Sequence, residues 1–332
     1  MNILSFLVYD CNLLGFRYWQ KNKRVRTLYS NSYKGEYRHP GRVIAMANTL
    51  VHNGGLGDRL HGFISMYMFC EKYGCIFKIN NCDTFQLREY FEPNEVDWYI
   101  DPEEIVYDVN VTEPVKMACT FKKYHGTATQ EALFMNRYLK WRMSLKHNKE
   151  MHVYTNEHWA CTPEVYSHYF HKLFKPSKAL QDAITKEKER IGGKYISITL
   201  RFQNLFGDFY EGKYPTLPKE EQDKLRDKVL NKIREIHSMQ KESTKILVTS
   251  DSRSFLDFLK QESYVYTIPG KIVHMSYSNN KDFDVHLKSF VDLMMLADAT
   301  KLYLLVTKPM FHSGFAESAS FINNRPYEVI KF

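Results

Sequence analysis

The 332-residue chain is 44% hydrophobic and 25% charged, with only 15 glycines and 11 prolines, so it can bury a substantial core and is neither disordered nor fibrous. No run approaches the roughly 18 unbroken apolar residues of a spanning helix, so an integral membrane protein is not expected. A formal net charge of +8, from 46 Lys and Arg against 38 Asp and Glu, favours an anionic partner without naming it; nucleic acid, phospholipid headgroups and sugar nucleotides all fit.

In chain order, residues 1–15 are apolar but lack a basic leading region and a small-residue cleavage site, and read as a first strand or loop rather than a signal peptide. Residues 16–34 interleave Arg17, Lys21, Lys23, Arg24 and Arg26 with Tyr18, Trp19 and Tyr29. They read as a solvated basic surface, suited to an anionic membrane surface; a nucleic-acid stripe is the competing reading. From residue 53 a loop with Gly54, Gly55 and Gly57 runs into a helix whose Leu60, Phe63, Ile64, Tyr67 and Met68 share one face, followed by a strand over 75–80. Residues 83–171 are rich in aromatics and charge but weak in period, apart from a helix over 131–145. Residues 173–176 read as a connection, and Ser177 caps a helix through Ile191.

The second half alternates strand and helix. Strands are expected over 194–201, 245–249, 264–268, 302–306 and 327–330, and helices over 218–239, from the Ser250-Asp251-Ser252 cap, over 285–299 and over 313–322. Solid apolar strands between helices imply a parallel sheet covered on both faces. The expected architecture is α/β, two Rossmann-like lobes with a cleft between them: residues 1–175, with the glycine-rich loop 53–59, and residues 176–332.

Three segments carry candidate chemistry. The first is Gly54-Gly55-Leu56-Gly57-Asp58-Arg59, a glycine turn at a helix N-terminus, which suits a phosphate or is simply a tight turn with a solvated arginine. It is neither GxGxxG nor a P-loop. The second starts at Arg201, at the carboxyl end of a strand, with Asp208 and Glu211 in the loop beyond. A guanidinium there can grip a diphosphate with both arms, or pair with a carboxylate at the strand end. The third comprises Asp251 and Ser252 after one strand and Ser313, Gly314 and Phe315 after another. These read either as base, ribose and anion contacts or as plain helix caps. The six cysteines contain no Cys-x-x-Cys pair, and Cys70, Cys75 and Cys82 have no second ligand cluster at zinc spacing; reduced thiols and no metal are expected.

The motifs GGLGDR (54–59), the strand ending at Arg201, TSDS (249–252) and SGFAESA (313–319) together resemble the GDP-fucose-dependent fucosyltransferase superfamily, which includes α-1,2-, core α-1,6-, protein O- and nodulation fucosyltransferases. The resemblance covers the glycine loop and nearly all of the second half. It implies a GT-B-like fold, GDP-fucose held mainly by the C-terminal lobe, inversion at the anomeric carbon and no required metal. Carried over, Arg201 would hold the diphosphate, Asp251 the guanine or ribose, and Ser313 with the following amides the phosphate or fucose. Arg59 would face the cleft from the other lobe, and Gly55 and Gly57 of the same loop are expected among the substrate-binding residues. Thr199 stands where members often have His, and Asp58 where they often have Asn, which leaves GDP-mannose open as donor. The base is sought first in Asp208 and Glu211, then in Asp58 and His61. The expected setting is surface-polysaccharide or glycoconjugate synthesis in the cytoplasm, at most peripheral at the inner face of the membrane, with no nucleic-acid partner. A non-catalytic sugar-nucleotide or glycan binder is the alternative.

Overall fold

The computed structural model describes residues 15–36, 39–51, 54–117, 128–159, 161–209, 214–273 and 281–332, so the reading of residues 1–14 and the candidate Glu211 lie outside the described residues. The chain forms two compact units. One comprises Met1–Arg88 and Pro93–Phe174, the other Glu89–Glu92 and Lys175–Phe332. Among the described residues no helix is long and apolar enough to cross a membrane.

The first unit opens with α1 (Gly15–Arg26), β1 (Arg42–Ala47), α2 (Leu56–Tyr73) and β2 (Ile76–Asn81). After α3 (Leu87–Tyr90) and the short β3 (Phe91–Pro93), of which Glu89–Glu92 belong to the second unit, come β4 (Thr112–Lys116), α4 (Ala128–Leu145), β5 (Glu150–Tyr154) and α5 (Pro163–Leu173). Its sheet has the order β2-β1-β5-β4, every pairing parallel, with Ala45 opposite both Ile79 and Val153. Within the basic segment 16–34 lies a helix packed on β4: Lys21, Lys23 and Arg24 are exposed, as expected of a solvated basic surface, while Val25 enters the core. Asn22 exchanges two hydrogen bonds with the Lys116 backbone. Residues 173–176 are not a plain connection, because Phe174–Pro176 forms β6 and pairs with β3.

β4 and β5 bury charge, which hid them from a hydropathy reading. Glu113 is fully buried and pairs with Arg26 at 2.5 Å and with Arg142. Glu150 meets Arg42 and, at 2.8 Å, His152 Nε2. Burial would raise the Glu150 carboxyl, but those two partners hold it below its ordinary value. Above it Tyr29 bonds His152 Nδ1 at 3.0 Å and Tyr154 at 2.7 Å, while Tyr107 accepts from Asn48 and Asn80. Partnered in this way, the polar groups satisfy the rule that buried donors and acceptors find mates.

α2 is buried nearly all round, not on one face, because the chain after β5 crosses it at close range. A Cβ on Gly62 would stand 2.1 Å from the Thr155 carbonyl oxygen, and Ser65 bridges the Glu157 carbonyl and the Trp159 amide. Gly62→Ala is therefore expected to lose about 3 kcal/mol, reversing the ~1 kcal/mol that alanine gains in an open helix. Urea unfolding checks this, and a stability gain would show that α2 can retreat from Thr155.

The second unit runs through α6 (Lys178–Ile191), β7 (Tyr195–Leu200), α7 (Lys219–Ser238), β8 (Lys245–Ser250) and α8 (Arg253–Phe258). It ends with β9 (Val265–Tyr266), α9 (Phe283–Asp298), β10 (Leu302–Val306), α10 (Phe315–Ile322) and β11 (Tyr327–Lys331). All five strands are parallel in the order β11-β10-β7-β8-β9, with Ile196 opposite Ile246 and Ile198 opposite Val248. On one face Ile196, Ile198 and Leu200 pack against Leu225, Val229 and Ile233 of α7 and Phe255 of α8. α9, buried from Phe290 through Ala297, accepts a 2.7 Å bond from the Tyr195 hydroxyl at its Met295 carbonyl. The α/β, GT-B-like expectation holds for the sheets: each unit carries one parallel sheet served by crossover helices.

Candidate functional site

In an open α/β sheet, ligands bind beyond the carboxyl ends of the strands where the order reverses. In the second unit that point lies between β7 and β10, because the chain steps from β7 outward to β8 and β9, then returns to β10 and β11 on the other side. Arg201 is the first residue past β7. The Phe311 amide, in the loop after β10, donates to the Arg201 carbonyl at 3.0 Å, which ties the two loops together at the switch.

Arg201 is one-fifth exposed; its Nε lies 3.2 Å from Asp251 Oδ2 and its guanidinium sits 4.9 Å over the Phe209 ring. Asp251 is 6% exposed and accepts from the amides of Phe202 at 2.8 Å and Gln203 at 2.7 Å. Gln203 has φ 56°, a left-handed conformation that costs a non-glycine residue about 1–3 kcal/mol unless something holds it. The carboxylate of Asp251 is what holds it. Asp251, expected on guanine or ribose, is thus the brace that shapes the Arg201 loop. Burial pushes its carboxyl up to about 6, against the Arg201 charge and the two amides, which favour ionisation.

Of the two readings of Ser252, ligand contact or helix cap, the geometry is that of a cap: its side chain is fully buried, accepts from the Phe255 amide at the start of α8 and donates to Asp208 at 2.9 Å. Asp208 Oδ2 takes that bond and one from the Ser254 amide at 2.7 Å, so one carboxylate oxygen seals the α8 N-terminus. No described residue bonds its Oδ1, and the residue is exposed. Ser313 accepts from the Phe315 amide at 3.2 Å, so that amide is a helix cap and not an anion donor. Gly314 is exposed at the N-cap of α10, with nothing within 4 Å of where a Cβ would stand. Thr199, at the position where the resemblance has His, is buried and bonded to Thr249 at 3.0 Å.

The glycine loop of the first unit turns inward. Gly54 has φ 74°, and the Gly55 amide, expected to meet phosphate, donates to Asp58 Oδ2 at 3.1 Å. Gly57 lies buried in the first turn of α2. Arg59, expected in a cleft, is 1% exposed. Its nitrogens bond the Gly54 carbonyl, Asn81 Oδ1 and both the carbonyl and carboxylate of Asp83, with the Phe85 ring 5.1 Å away. Burial lowers its affinity for the proton, and Asp83 opposes that. Arg59 therefore clamps the glycine loop to the end of β2. His61 packs against the rings of His158, at 4.8 Å, and Tyr166, at 5.2 Å, on the α5 side of α2.

One sequence feature stands against the metal-free expectation: an Asp-x-Asp, Asp282-Phe283-Asp284. It stands at the N-cap and first turn of α9, where carboxylates complement the helix dipole. Among the described residues no group of three or more His, Cys, Asp or Glu could hold a metal ion.

Neither family models nor curated proteins yield a match to this sequence. Solved structures do. The NodZ α-1,6-fucosyltransferase soaked with GDP-fucose matches with a TM-score of 0.53 at 15% identity, over 88% of this chain and 94% of that one. NodZ from Bradyrhizobium in selenomethionine form gives 0.53 at 16%, over 90% and 95%. FUT1 of Arabidopsis thaliana, a mutant in complex with GDP, gives 0.54 at 11%, over 94% and 74%. This chain has the fold of these fucosyltransferases. Within that fold, Phe209, Gln203 and the Phe311 amide are the site residues that sequence reading missed. No local pattern marks them, since each acts through a partner distant in sequence.

Proposed function

We propose that this chain is an inverting glycosyltransferase that moves fucose from GDP-fucose to a hydroxyl of a glycan acceptor. The observation that carries the reading is Arg201, held by Asp251 at the strand-order switch, in a fold shared with fucosyltransferases solved with GDP-fucose or GDP. Residues 176–332 hold the donor and residues 1–175 serve the acceptor, in surface-polysaccharide or glycoconjugate synthesis on the cytoplasmic side of a membrane.

The acceptor oxygen attacks the anomeric carbon from the face opposite the diphosphate. The bond from that carbon to the phosphate oxygen breaks, and its electron pair leaves with GDP. Negative charge then grows on the diphosphate, where the Arg201 fork, the Ser313 hydroxyl and the Gly314 amide stand to receive it in place of a divalent ion. The hydroxyl proton passes to Asp208 Oδ1, whose sister oxygen anchors the carboxylate to α8. Asp208→Asn keeps an acceptor for the cap, so a stability change of about 1 kcal/mol or less is expected. Transfer should fall by roughly 10²–10⁴-fold with donor affinity retained. Full transfer by the variant would move the base elsewhere.

The reading is tested by thermal stabilisation with GDP, GDP-fucose, GDP-mannose, UDP-glucose and ADP in EDTA, followed by release of GDP in the presence of acceptor glycans. Ligand at about 100 times its Kd adds roughly 2.7 kcal/mol, a shift of a few degrees. Stabilisation by GDP and GDP-fucose in EDTA supports a metal-independent donor site; stabilisation only after a divalent ion is restored rejects metal independence. Indifference of the folded protein to every nucleotide rejects the transferase.

A further inference from the structure

α2 ends in a turn that brings two thiols together. Gly74, at φ 67° and ψ 34°, turns the chain, and the amides of Gly74 and Cys75 both donate to the Cys70 carbonyl, the second at 2.9 Å. In this closing turn the residue just past the left-handed glycine packs on the one near the end of the last helical turn. Here those residues are Cys70, fully buried, and Cys75, partly exposed, so the turn sets the two thiol side chains beside each other. Both are reduced.

We propose that Cys70 and Cys75 are a redox-active dithiol, which a small disulfide such as oxidised glutathione converts into an intramolecular disulfide linking the end of α2 to the start of β2. The two positions divide the work. Burial pushes the Cys70 thiol up, while the hydrogen bond from Cys70 holds Cys75 below the usual thiol range, so Cys75 is the attacking thiolate and Cys70 the resolving thiol. Cys75 attacks one glutathione sulfur, the glutathione S–S bond breaks, and one glutathione leaves and takes up a proton. Cys70 then gives its proton to solvent, attacks the Cys75 sulfur and expels the second glutathione. Two protein thiols are oxidised and one glutathione disulfide is reduced to two thiols. Cys161, by contrast, is pushed up to about 11 by burial and has little thiolate to offer.

Lys72 lies between the two cysteines, so trypsin separates them into peptides 60–72 and 73–78 that only a disulfide can join. The full chain is equilibrated in reduced and oxidised glutathione at rising ratios, quenched with N-ethylmaleimide, digested and read by mass spectrometry. The joined pair should grow with the oxidised fraction, vanish with dithiothreitol, be absent from Cys75→Ser and persist in Cys82→Ser and Cys161→Ser. Circular dichroism of Cys75→Ser confirms that its loss is not unfolding, and one-to-one capture of phenylarsine oxide by the reduced wild type reads the dithiol without any variant. Alkylation of both cysteines in excess oxidised glutathione overturns the proposal. So does a lasting Cys75–glutathione adduct beside an unreacted Cys70.

Discussion

Arg201→Ala is expected to abolish stabilisation by GDP and to lower transfer by roughly 10²–10³-fold, the loss that follows removal of one fixed donor to a developing oxyanion. The guanidinium is one-fifth exposed at the strand-order switch, with its Nε on Asp251 and its planar face on Phe209, so the side chain is held in place without further ordering. Pre-orientation of that kind makes the charge effective in the transition state. The substitution also strips Asp251 of its counter-charge, and the two amides that remain limit that cost to about 1–3 kcal/mol. Arg201→Lys separates the effects, because it keeps the charge but loses the planar fork, and should fall between wild type and alanine. Calorimetry with GDP on the three folded proteins decides. Unchanged GDP affinity in Arg201→Ala would remove the donor site from the end of β7.

Asp251→Asn is expected to cost about 1–3 kcal/mol of stability and to lower transfer at least tenfold, because its side chain holds both Arg201 and the loop after β7. The carboxylate oxygens receive two amides and one guanidinium, and an amide side chain must turn a donor toward one of those donors. Gln203 then loses the partner that keeps it left-handed, and Arg201 its anchor. The same carboxyl predicts a pH dependence of known sign. Its folded value, about 6, lies above the ordinary 3.8, so folding takes up a proton between them. This group's contribution to stability is full below 3.8 and is lost as pH rises through 6, about 3 kcal/mol in all. Transfer runs the other way: below about 6 the protonated carboxyl no longer pairs with Arg201, so kcat/KM should fall on the acid side with a midpoint near 6. That limb should be missing from Asp251→Asn. A midpoint near 4 in the wild type would show that the amides and Arg201 outweigh burial.

Arg59 and Arg201 look alike in the sequence, each beside a polar loop next to a regular element, yet only Arg201 stays partly exposed. Arg59 is enclosed because β2 ends in Asn81 and Asp83, whose acceptors converge on it, a fact of sheet pairing and not of the GGLGDR motif. Arg201 stays partly open because β7 is the central strand at which the order reverses.

The strands and helices of the second unit were legible in the residues alone. β7, β8 and β10 are short apolar strands between capped helices, so local period and end signals agree with burial, and the carboxyl-end position of Arg201 follows. Local pattern did not reveal β4 and β5, because Glu113, Glu150 and His152 are buried by partners as much as 123 residues away. The bonding partners of Asp251, Ser252, Asp208 and Arg59 were set by folding alone. Each is a polar residue whose oxygens or nitrogens are taken up by groups that chain folding brings near, and hydrogen bonding across strands leaves no trace in local composition.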